Sequence, residues 1–135
     1  PLIAVLESFA ERYQLAVSHA ILWRLGVTPR DPQQDRGLVQ TVERALRTSE
    51  SGLDGFFFDT FGGVAPEGEA FAEVRAALTP YVARKPRDHH YWQGPPCSML
   101  IDEVETIWAA IDQKDDWQPF HAKIARIREM GEAMT

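Results

Sequence analysis

Apolar residues recur at steps of three and four through most of the chain, the period of a helix with one face turned inward. The longest such pattern is the first: Leu2, Leu6, Phe9, Tyr13, Val17, Ala20 or Ile21, and Leu25 fall on one stripe. Ile3, Val5, Ile21, Leu22 and Trp23 widen it. A helix apolar over so much of its circumference is normally contacted from more than one side, so Leu2 to Leu25 is expected to be the central helix. Pro1 suits its first position, and Gly26 suits the left-handed residue just past its end. Burying its large side chains at about 1.5 to 3 kcal/mol each would make it the main contributor to the core. On this reading Tyr13→Asp or Leu25→Asp abolishes folding.

Five further segments follow. Pro29 and Pro32 break the first helix and form a connector. Asp35 is expected to cap a second helix to about Arg47, with Leu38, Val39, Val42, Ala45 and Leu46 inward. Leu53 to Gly63 carries Phe56, Phe57, Phe58 and Phe61; Asp54 as cap and Gly62 as stop favour a short helix over a strand. From Gly68 the helical step of Phe71, Val74, Ala77, Leu78 and Tyr81 ends near Thr79, ahead of Pro80. Arg84 to Cys97, with Pro86, Gly94, Pro95 and Pro96, has no steady period and reads as a long ordered loop held by Tyr91 and Trp92. Ser98 is expected to cap a helix with Leu100, Val104, Ile107, Trp108 and Ile111 inward. Lys114-Asp115-Asp116 ends it, and Asp116 caps the last helix, striped by Trp117, Phe120, Ile124, Ile127, Met130 and Met134. The prediction is an all-α fold: a single domain over residues 1–135, an irregular bundle of five or six helices with one long loop.

Charge narrows the partners. Fourteen Lys and Arg against 20 Asp and Glu give a net charge of -6, which repels a phosphate backbone and argues against nucleic acid. One cysteine, Cys97, allows no internal disulfide, and a reducing cytoplasm fits. No apolar run approaches the length of a membrane span.

Candidate chemistry is sparse. Asp88, His89 and His90 with Cys97 resemble metal ligands, but adjacent histidines rarely point at one ion and further ligands are missing. Cys97 beside Pro95 and Pro96 reads as a buried thiol at a helix entry rather than a nucleophile. Glu103 and Glu105, like Asp112, Asp115 and Asp116, read as solvated faces and caps. Asp59-Thr60-Phe61-Gly62 differs from a kinase magnesium motif by its inserted Thr60, and the loops that such an aspartate serves are missing. No catalytic, cofactor-binding or metal-ligating residue is therefore assigned.

A family likeness adds what the spacing does not. Phe9 and Tyr13, then Trp23-Arg24-Leu25-Gly26-Val27, Asp35, Leu38-Val39 and Phe56-Phe57-Phe58 resemble the carboxy-terminal helical region of the selenoprotein O family. The run Pro96 to Glu105, with Ile107-Trp108-Ala109 and Asp115-Asp116-Trp117, is similar to the tail of its bacterial members. The resemblance implies a kinase-like fold in a preceding region, which uses ATP and Mg to transfer AMP to protein hydroxyls. The shared motifs are helix-packing ones, and no catalytic residue carries over. Gly55 stands where a larger residue is expected, and the chain lacks the late Cys or selenocysteine of some members.

If the chain is the carboxy-terminal part of such a protein, its partner is the upstream kinase-like region, and a surface that normally covers it should be apolar. The candidates are Phe56, Phe57, Phe61, Tyr91 and Trp92, which carry more ring area than a chain this size easily hides. Two outcomes stay open: these rings form an interaction surface, for that partner or a homo-oligomer, or they complete the core.

Overall fold

In a computed structural model of the chain, residues 2–135 are described, save the side chains of Leu2 and Ala4. The expectations for Pro1 and for the Leu2 side chain lie outside the described residues. Among the described residues six α-helices follow in order: α1 Leu2–Leu25, α2 Pro32–Thr48, α3 Leu53–Thr60, α4 Ala72–Leu78, α5 Ile101–Lys114 and α6 Gln118–Met134. Short 3-10 turns sit at Glu69–Phe71 and His90–Gln93. Among the described residues there is no strand, only an isolated antiparallel bridge between Val27 and Ala83. The all-α expectation holds. Contacts cluster the chain into two compact units, Pro1–Pro86 and Arg87–Thr135.

The first unit is built on the carboxy-terminal end of α1. Leu22, Leu25 and Val27 join Leu38 and Val42 of α2, Phe56 and Phe57 of α3, and Phe71, Val74 and Leu78 in one apolar core. Gly26 takes a left-handed backbone, φ 66°, and turns the chain out of α1. A Cβ there would stand 2.6 Å from the Gly62 nitrogen and 2.9 Å from the Phe61 ring. Only glycine lets these backbones approach so closely. The Gly62 amide donates to the Leu25 carbonyl (2.8 Å), Arg84 N–H to Gly26 (2.7 Å), and Thr28 N–H to Val82 (2.9 Å). Three chain segments thus meet at residues 25–28.

The α2 start differs from expectation. Pro32 opens the helix rather than ending a connector, because its missing N–H lies among those that have no partner in a first turn anyway. Asp31 is the cap and accepts from the Gln33 and Gln34 amides (3.0 and 3.1 Å). Asp35 is instead buried one turn in. Its carboxylate accepts the Arg30 amide (3.1 Å) and the Tyr81 hydroxyl (2.9 Å), which pins the segment after α4 to α2. Arg30 adds a guanidinium bond to the Pro80 carbonyl (2.6 Å). Gly52, not Asp54, precedes α3; Asp54 pairs with Arg24 of α1 at 3.0 Å. That half-exposed pair is worth under about 1 kcal/mol.

The second unit sets the His90–Gln93 turn and α5 against α6. Tyr91 and Cys97 are buried in it, and the Cys97 amide donates to the Tyr91 hydroxyl (3.0 Å). Leu100, in extended conformation, precedes α5, and Ser98 is not its cap. The Ser98 carbonyl is taken by Lys123, whose ammonium also pairs with Glu103 at 2.7 Å. Asp115 ends α5 in a left-handed conformation, as the Lys114-Asp115-Asp116 break requires. Trp117 is the residue before α6, while Asp116 accepts the Gln118 amide (3.0 Å) from one position earlier.

Two expected outcomes follow. Gly26→Ala combines left-handed strain with a backbone clash and is expected to cost about 3 kcal/mol or more, read as a loss of urea midpoint. Tyr81→Phe should cost about 1 to 3 kcal/mol by taking a donor from a buried carboxylate. Burial, with the Asp35 hydrogen bond next, raises the Tyr81 phenol above its ordinary value. The unfolded chain therefore releases this proton first: the contribution is complete below about pH 10 and declines as pH rises further. Urea titrations of both proteins from pH 8 to 11 check this, with a shallower alkaline decline in the variant.

Candidate functional site

The rings proposed as a surface are mostly interior. Phe56, Phe57 and Phe61 are buried, so the open question closes for them in favour of the core. Phe56 and Phe57 project about 100° apart on α3, so burying both takes neighbours on two sides of this short helix. Their rings meet edge to face at 5.3 Å, Phe56 stacks on Phe71 at 5.3 Å, and the Arg24 guanidinium lies 4.2 Å from the Phe57 centroid. Phe61 fills the space that Gly26 leaves open. In the second unit Tyr91 is buried under Arg126, 4.5 Å from its centroid, and meets Trp92 edge to face at 5.0 Å. Trp92 is half-buried, with Arg87 5.2 Å from its ring. For Phe56, Phe57, Phe61 and Tyr91 the surface expectation gives way to the core, because these rings find partners at hand and burying them outweighs exposure, while Trp92 keeps part of its ring in solvent.

The apolar surface lies where sequence reasoning placed the core. Along the first four turns of α1, Ile3, Leu6, Phe9 and Tyr13 are 71%, 65%, 64% and 55% exposed. The stripe was read correctly, but only its last part, around Ser18, Leu22 and Leu25, is covered. Phe9 and Tyr13 stack at 6.0 Å in the open. Continuing from Tyr13, a groove of about 630 Å³ runs between α1 and α2 to the start of α3. Val17, Ile21, Val39 and Leu46 lie along it, with Arg36, Glu43 and Arg47 at its edge. In the second unit α5 likewise exposes Ile101, Val104 and Trp108, as does the chain just before it at Leu100, and three of these four, Leu100, Val104 and Trp108, are ones expected to face inward. Ile107 and Ile111 are partly covered as expected, and Glu103 is carried in beside them by the Lys123 pair.

The polar candidates are occupied structurally. His89 accepts the Tyr91 amide through Nδ1 (3.1 Å), and its Nε2 faces Glu132 at 3.9 Å. His90 faces Glu129 at 3.8 Å. Asp88 is exposed, and among the described residues no three His, Cys, Asp or Glu gather as a metal site. Cys97 is a free, buried thiol. The Thr60 hydroxyl donates to the Phe56 carbonyl (2.8 Å), so Asp59-Thr60-Phe61-Gly62 is a helix end, with Phe61 in the core. Glu103 is held by Lys123, Asp115 accepts the Trp117 indole N–H (3.0 Å), and Glu105 and Asp112 are exposed. No helix among the described residues is long and apolar enough to cross a membrane.

This helical fold, with an uncovered apolar face and structurally committed polar groups, is similar in sequence to part of a nucleotidyltransferase. The relative is the protein nucleotidyltransferase YdiU of Gloeobacter violaceus, 29% identical over 148 aligned residues. The alignment takes in 93% of this chain but 31% of that protein, and the resemblance to the selenoprotein O family stands on it. No family model matches the chain, and no solved structure matches it.

Burial separates the two aromatic sets by experiment. Phe57→Ala should cost about 3 to 5 kcal/mol, whereas Tyr13→Asp should shift stability by no more than about 0.5 kcal/mol, contrary to the expectation from the stripe alone. Thermal melts of the two variants give the comparison.

Proposed function

We propose that this chain is a helical accessory region, carboxy-terminal in position, of a selenoprotein O-like enzyme, working in the cytoplasm. The supporting observation is the asymmetry of the alignment, which takes in nearly all of this fold and less than a third of the relative. A preceding kinase-like region binds ATP and Mg and transfers AMP to protein hydroxyls, as the family resemblance implies. This chain supplies none of that chemistry, since none of the residues it shares with the family carries over a catalytic role. Among the described residues the one buried cation, Lys123, is committed to Glu103 and the Ser98 carbonyl.

A second reading, a free-standing helical interaction module, is supported by the uncovered α1 face, which either kind of protein would use. The two differ in what accompanies the chain: a preceding catalytic region, or an unrelated binding partner. Titration of the 135-residue chain with ATP and Mg in a calorimeter is expected to give no binding heat at tens of micromolar. Micromolar affinity would overturn the assignment of nucleotide chemistry to another region.

A further inference from the structure

We infer that the α1 face formed by Ile3, Leu6, Phe9 and Tyr13, with the groove that continues it between α1 and α2, is the seat of the preceding region of a longer chain. This rests on the accessory-region reading and adds the surface through which it operates. The four side chains are more than half exposed, and each forgoes about 1.5 to 3 kcal/mol while it stays in water. Their exposed area is on the order of 500 Å², at the upper end of what a monomer leaves uncovered.

Area favours one occupant over the other. Two copies pairing through these four side chains alone would bury on the order of 1,000 Å² in total, below the roughly 1,200 to 2,000 Å² of a stable complex between free proteins. The same area is ordinary for an interface between regions of one chain, where about 600 to 1,500 Å² suffices and tethering supplies a high effective concentration. Charge is consistent with an interface at this face. The stripe carries no ionic group from Ile3 through Tyr13 on its exposed centre, and Glu7, Glu11 and Arg12 fall to its sides by helical spacing. An interface centre depleted of charge is the pattern of a contact surface. More than two thirds of the YdiU relative lies outside its alignment with this chain, enough for a covering region.

The test uses the longer protein that contains this chain, with a protease site introduced ahead of residue 1. After cleavage the two pieces should co-elute in gel filtration at tens of micromolar. With Phe9→Asp and Tyr13→Asp together they should separate, while circular dichroism and melting of the 135-residue piece stay unchanged. Hydroxyl-radical labelling of Phe9 and Tyr13 should be severalfold lower in the intact protein than in the freed piece. Separation of the unmodified pieces, undiminished labelling, or a Phe9-dependent dimer of the freed piece would each overturn the inference. A nucleotide-transfer assay on the intact protein keeps the two claims apart. Transfer with both rings still labelled sinks the docking face alone, and protection without transfer upholds the face and sinks the enzymatic reading.

Discussion

The close approach at Gly26 is the constraint on which the first unit depends. The Leu25 carbonyl, left without a helical donor at the end of α1, accepts the amides of Gly62 (2.8 Å) and Gly63 (3.2 Å) from the turn after α3. This brings Phe61 against the α1 terminus, and the pairing of residues 26–28 with 82–84 brings the segment after α4 to the same place. A side chain at residue 26 would separate these backbones, and the core beneath them would open. The arrangement satisfies buried backbone polar groups and seals the apolar residues in one step.

A second tie, between the start of α2 and the segment after α4, complements the first. Buried Asp35 has its charge balanced by an amide in the loop before α2, by the positive end of that helix, and by the Tyr81 hydroxyl. A carboxylate taken out of water needs such donors, and here they come from both sides of the chain connection. The Tyr81 ring packs against the core while its hydroxyl reaches Asp35, so one residue serves the apolar and the polar part of the contact.

The allocation of apolar area explains where the exposed face arises. The short helices α3 and α4 can cover only a few turns of their neighbours. Of the two, α3 meets the carboxy-terminal part of α1, where Gly26 draws it, and its phenylalanines fill that contact, while α4 packs on α2. The amino-terminal turns of α1 extend past this coverage with their stripe intact. Six residues of similar chemistry thus divide sharply: Phe56, Phe57 and Phe61 inside, Leu6, Phe9 and Tyr13 outside.

Local rules carried much of the description. Periodicity placed five of the helices, turn residues favoured a short helix over a strand for α3, Gly26 gave the exit from α1, the run Lys114-Asp115-Asp116 gave the break before α6, and the shared motifs gave the family resemblance. These were legible because helix period, chain breaks and left-handed positions are properties of neighbouring residues. Capping was less so: Asp31 and Asp35 are equally suitable by type, and the choice between them depends on Tyr81, 46 residues away. The sequence by itself determined that α1 has a broad apolar stripe and that α3 is crowded with rings. Only the tertiary structure decided which of the two is covered, because burial depends on what distant segments a backbone contact brings alongside, and no pattern within a helix records the reach of its neighbours.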